Sequence, residues 1–183
     1  MSAFAPLARA LAAHDARYVL IGVWGANFHA HRGGVVFSTQ DWDLFMPPEP
    51  ANLLATWNAC RDCGLAISSA GQPLDQPMNH LLAERVIEQL ASTQASDDEL
   101  QVDLTLVMAG LDFDSVWDAR TRFVLDRIEI PVARLRHIID SKAATGRDKD
   151  RLFLATHEEN LRQLLGPENT EPPPPTRDAE PGT

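Results

Sequence analysis

Phe4, Leu7, Ala8 and Leu11 recur at helical spacing and predict a first helix over residues 3–15, followed after a short turn by an apolar strand at 18–21. Gly22 breaks that strand. Residues 24–31 then read as a helix whose free N–H groups point back at the turn, a natural seat for a phosphate. A second strand carries Asp41, Trp42 and Asp43 and stops at Pro47 and Pro48, which cannot extend a hydrogen-bonded ladder. Leu53, Leu54 and Trp57 mark the inner face of a helix from 49 or 50 to 63, which Gly64 ends. Residues 65–69 read as a short strand and 71–77 as a loop. Between 79 and 90, Leu82, Val86, Ile87 and Leu90 have helical spacing, although the β-branched pair Val86 and Ile87 leaves a strand open. A polar run at 92–99 precedes a buried strand at 100–108, in which Val102, Leu104 and Leu106 alternate with Asp103 and Thr105. A short helix at 112–119, a hairpin over 121–130 ended by Pro131, and two helices at 132–144 and 147–165 complete the pattern.

The strand period of two gives the acids their meaning. Asp41 and Asp43 project to one side and the Trp42 indole to the other. Two carboxylates so close repel each other unless a cation lies between them. Asp103, an acid inside an apolar strand, makes a third, and three carboxylates suit Mg²⁺ or Mn²⁺, hard ions that prefer oxygen ligands. The plain alternative is three acids at strand ends facing water. Ser38 and Thr39 lead into the acid strand, where their hydroxyls serve phosphate binding, carboxylate positioning or simple capping. His29 and His31 form a His-x-His, but on a helix they point to different faces, which argues against shared metal ligation. Cys60 and Cys63 have no second pair and close a helix instead of opening one, so they read as reduced structural thiols.

A chain of 183 residues has room for a sizeable core without staples. Its net charge of −10 and pI near 4.9 argue against nonspecific DNA binding. Glu168, Glu171, Asp178 and Glu180 against Arg177 put three of those charges in the last segment. That segment, 167–183, carries four consecutive prolines at 172–175 and no large apolar side chain, so it is expected to be a disordered, proline-rich acidic tail. The start of the chain shows neither a basic leader with an apolar core nor a long apolar run, and the expectation is a cytoplasmic protein without a membrane span.

The order of strand, Gly22 turn, helix, Thr39, Asp-x-Asp strand and a later strand bearing a third acid resembles the nucleotidyltransferase superfamily, which includes DNA polymerase β. The resemblance covers roughly residues 17–155 and is greatest to the small bacterial minimal nucleotidyltransferase branch, some of whose members act in toxin–antitoxin or antibiotic-modifying roles. It implies that Gly22 is the first glycine of a phosphate-holding turn, Asp41 and Asp43 a metal pair, and Asp103 the third metal-binding acid that helps activate the attacking hydroxyl. The stretch SKAATGRDKD is similar to the family's lysine and basic turn, which implies a triphosphate contact for Lys142 and loop-orienting roles for Arg147 and Lys149. Two departures stand out: Val23 replaces the second Gly or Ser of the turn, and the segment 24–40 is longer than the family's, with an extra loop about residues 31–34.

The expected fold is therefore α/β (α+β), a small mixed sheet with helices mainly on one face and a C-terminal helical pair, spanning 1–166. The expected function is metal-dependent transfer of a nucleoside monophosphate from an NTP to an acceptor hydroxyl, with Mg²⁺ or Mn²⁺ and release of pyrophosphate. The acceptor is open among small molecule, protein and RNA end. The alternative is a noncatalytic domain of the same fold that binds a protein partner, as an antitoxin does, and Val23 points toward it. A metal-dependent phosphohydrolase is a weaker third reading, because no His-Asp metal cluster is evident.

Overall fold

In the computed structural model, residues 2–30 and 36–166 are described; the extra loop, His31 and the tail at 167–183 lie outside them. The elements follow in the order α1 (Ala5–Ala13), β1 (Val19–Ile21), α2 (Gly22–Ala30), β2 (Trp42–Phe45), α3 (Pro50–Asp62), β3 (Ala66–Ser69), β4 (Gln72–Pro73), α4 (His80–Glu88), β5 (Thr93–Ser96), β6 (Gln101–Thr105), α5 (Phe113–Ala119), β7 (Thr121–Leu125), β8 (Ile128–Val132), α6 (Leu135–Thr145) and α7 (Asp148–Leu165). The strands form one mixed sheet in the order β4-β3-β5-β6-β2-β1-β8-β7. The fold is α/β with a mixed sheet, as the hydrophobic pattern implies.

Alternation along the strands sorts the side chains onto two faces. On one face Leu20, Trp42, Leu44, Ile67, Ala95, Val102, Leu104, Ile130 and Val132 join Leu7 and Leu11 of α1, Leu53 and Trp57 of α3, and Val86 of α4 in the largest core cluster. Trp42 is clasped there, stacked on Phe4 at 4.2 Å and on Trp24 at 4.3 Å between ring centroids. The Trp57 indole N–H donates to the buried Thr93 hydroxyl at 3.1 Å, so α3 locks onto β5 without leaving a polar atom unsatisfied. The other face is covered only in part. Val19, Ile21 and Phe45 pack there with Phe113 and Val116 of α5 and Ile138 of α6. The strands beyond, β6, β5 and β3, keep that face open.

Three boundaries differ from the sequence expectation. β4 lies within the expected loop, and β5 lies within the expected polar run, so the sheet is two strands longer than the apolar pattern indicates. Residues 79–90 resolve as helix: the Asn79 side chain accepts from the Leu82 N–H at 3.0 Å, capping α4 and deciding against a strand. α6 begins at Leu135, because Val132 belongs to β8, where it pairs with Leu20. Among the described residues no helix is long and apolar enough to cross a membrane.

Candidate active site

Register builds the site. β2 and β6 run parallel with Asp43 opposite Asp103; β5 pairs with β6 so that Gln94 lies opposite Asp103; β3 pairs with β5 so that Ser68 lies opposite Gln94; and β1 sets Ile21 opposite Asp43. Ser68, Gln94, Asp103, Asp43 and Ile21 thus form one row across five strands on the open face. Neighbouring strands lie about 4.8 Å apart, which sets the backbone spacing of the two acids. A cavity of about 860 Å³ stands over this row. Asp41, one residue before β2, and Thr39 also line it.

Gly22 fixes the turn above Asp43. Its φ is +65°, and a Cβ placed there would fall 1.9 Å from Asp43 Oδ2. Only glycine meets both conditions. The Asp43 carboxyl therefore sits directly against the start of α2, with Val23 beside it on the cavity wall. Burial, and then the charge of Asp103, lift its pKa from 3.8 to about 6; Asp41 adds to the rise, while Lys142 and Lys149 oppose it. Asp41, Asp43, Asp103, Lys142 and Lys149 all line the one cavity.

Asp103 is held from its other side, where Gln94 Nε2 donates to its Oδ1 at 2.8 Å. Among the described residues no three His, Cys, Asp or Glu side chains already stand close enough together to hold a metal. The structure brings Asp43 and Asp103 together as a pair and places Asp41 on the same cavity wall.

Another part of the cavity lining comes from α6 and α7. Lys142 Nζ donates to Asp150 Oδ1 at 2.8 Å, and Thr145 Oγ1 donates to Asp150 Oδ2 at 2.7 Å. Burial works against the Asp150 charge, but the hydrogen bonds from Lys142 and Thr145 and the charges of Lys142 and Lys149 outweigh it and hold the pKa below the usual range. Lys142 lines the cavity, and its ammonium is committed to Asp150. Arg147 and Lys149 line the same wall, and among the described residues neither forms a salt bridge.

Ser38 stands apart from these groups. It is exposed, between the buried Phe37 and the half-buried Thr39, and does not line the cavity. His29 Nε2 donates to the Ala133 carbonyl at 2.8 Å, and burial lowers its pKa against that bond, which keeps the ring neutral and occupied. Cys60 and Cys63 are free thiols; burial, followed by the neighbouring Cys63, pushes Cys60 up to about 12, far from a reactive thiolate.

Gln94 and Asp150 line the site and Asn27 lies behind it, and sequence reasoning assigned none of the three a role of its own. Asn27 anchors the approach to the acids: its Oδ1 accepts from the Phe37 N–H at 2.7 Å and its Nδ2 donates to the Phe37 carbonyl at 2.8 Å. No family profile matches the chain, and comparison with curated proteins gives no match.

Proposed function

We propose that the chain is a metal-dependent nucleotidyltransferase. The observation that carries this reading is the in-register pair Asp43 and Asp103 beneath the Gly22 turn, in a cavity also lined by Lys142, Arg147 and Lys149. Acids and cations lining one cavity suit a ligand that carries both a metal-bound phosphate and further phosphates. The volume lies within the range of sites for ligands of nucleotide size.

The donor set fits a hard divalent ion. All three groups are carboxylates, and the raised pKa of Asp43 marks negative charge confined where a cation would relieve it. Asp41, Asp43 and Asp103 would hold Mg²⁺ or Mn²⁺, which when bound neutralises phosphate charge and lowers the pKa of a coordinated hydroxyl. In the transfer, the acceptor oxygen bonds to the α-phosphorus as the bond to the oxygen bridging α and β breaks. Pyrophosphate leaves with that electron pair. Asp103 receives the hydroxyl proton, Gly22 gives the phosphates a close backbone approach, and Arg147 and Lys149 orient the β- and γ-phosphates.

Val23 supports the noncatalytic alternative, since its branched side chain lines the cavity and packs toward the cluster of α2, α6 and α7. Thermal melts separate the two. With excess Mn²⁺ the parent should gain on the order of 1–3 kcal/mol over the EDTA sample, and Asp43→Asn should gain far less. Release of labelled pyrophosphate from an NTP should follow the same pattern. A parent melt indifferent to metal, with or without ATP, would leave the protein-binding domain as the standing account.

A further inference from the structure

We infer that Gln94 is a positioning residue for the acid pair, an inference that rests on the metal-dependent reading above. Its place is set by backbone register. β5 is the neighbour of β6 on the side away from β2, so Asp103 has Asp43 on one flank and Gln94 on the other, all at one level of the open face. The Gln94 carboxamide spans the interstrand gap and donates to Asp103 Oδ1 at 2.8 Å. Gln94 is half-buried and lines the same cavity.

The chemistry of residue 94 matters as much as its reach. An isolated carboxylate in a strand swings about two torsions, and beside Asp43 repulsion drives it outward. A donor on the far flank holds one oxygen and restricts the swing of the group, and no hydrogen bond to Oδ2 is made among the described residues. Lysine or arginine would hold the oxygen equally well but would cancel the charge that recruits a cation. Glutamate would add repulsion and offers no donor when ionised. A neutral amide is the side chain that orients Asp103 while leaving the net charge of the acid row unchanged. This is the role that partners of metal-binding carboxylates play, and losing such a partner typically weakens metal affinity by about 10- to 100-fold. Ser68, next in the row on β3, has no bond to Gln94 among the described contacts, so the row of polar contacts ends at the amide.

The test counts free Mn²⁺ by its electron paramagnetic resonance signal in titrations of the full chain without nucleotide. Gln94→Met keeps the length and loses the donor; Gln94→Thr suits a strand and cannot reach. Both should bind Mn²⁺ roughly tenfold or more weakly than the parent, while their melting temperatures in EDTA stay within about 2 °C of it, because a half-buried neutral residue on the open face contributes little to the core. Parent-like Mn²⁺ affinity in both variants would overturn the inference and leave the metal reading intact. So would a loss of affinity matched by a large drop of the EDTA melt, which would make Gln94 a structural strand residue. A parent that binds no Mn²⁺ removes the metal reading, and the positioning role goes with it.

Discussion

At the scale of single residues, the decisive one is Asp43, because its neighbours set both its place and its proton affinity. Gly22 leaves room for it, Asp103 repels it, and burial disfavours its charge. A folded-state pKa of about 6 against an ordinary 3.8 means that the folded chain binds this proton more tightly than the unfolded chain. The unfavourable contribution is therefore absent below pH 3.8, grows as pH rises through the interval and is complete above about 6. Its full size is about 3 kcal/mol by the usual conversion of roughly 1.4 kcal/mol per pH unit. Melts in EDTA from pH 4 to 7 should show the parent losing stability relative to Asp43→Asn, with the variant the more stable at pH 7. Parallel curves would mean that the carboxyl is solvated in the metal-free chain. A reader of the sequence could find Asp43 from the Asp-x-Asp pattern, but not its environment: the Gly22 contact and the Asp103 register are tertiary facts.

At the scale of elements, what was legible divides by the size of the apolar side chains. β1, β2 and β6 announce themselves through Leu20, Leu44, Val102 and Leu104, and α1 and α3 through their inward leucines. β5 does not. Its buried residues are Thr93 and Ala95, too small and too polar to show a period of two, and it is a strand because β3 and β6 flank it on both sides. The acids after it are its turn: Asp97 Oδ1 accepts from the N–H groups of Glu99 and Leu100, both at 2.8 Å, and turns the chain back into β6. That turn chemistry was the available signal for the hairpin, and with it for Gln94. The approach to Asp41 depends likewise on a contact that no periodicity shows, the Asn27 clamp on Phe37. Asn27→Ala should cost about 1–3 kcal/mol through two lost hydrogen bonds, one of them leaving a backbone N–H without its partner. Hydrogen exchange should quicken at the Phe37 amide while Leu44 and Leu104 in β2 and β6 stay protected. Equal quickening in those strands would show that the clamp supports the sheet as a whole and not the segment before Asp41.

At the scale of the whole molecule, a net charge of −10 and a cavity floored with acids oppose the approach of a triphosphate. The cations on the cavity wall are few. Lys142 is tied to Asp150 in a pair with side chains 16% and 6% exposed, and removing either partner strands a buried charge, so Lys142 serves the wall chiefly by shaping the turn. Arg147 and Lys149 are exposed, line the cavity and form no salt bridge among the described residues, so on the proposed reading they are the groups that would meet phosphate oxygens. The division of labour predicts a division of effects. Replacing both by alanine should weaken the stabilisation of the protein by Mg·ATP by at least about 1.4 kcal/mol, equivalent to a tenfold loss of affinity. Mn²⁺ binding without nucleotide should stay the same or tighten slightly, since Lys149 favours the charged form of Asp43 but also repels the incoming ion. ATP with EDTA should stabilise neither protein. Added salt should erode the parent's Mg·ATP effect, because exposed charges are screened over about 10 Å at 0.1 M. If the double variant keeps the full Mg·ATP stabilisation at low salt, the basic turn is a solvated surface feature and takes no part in holding the phosphates.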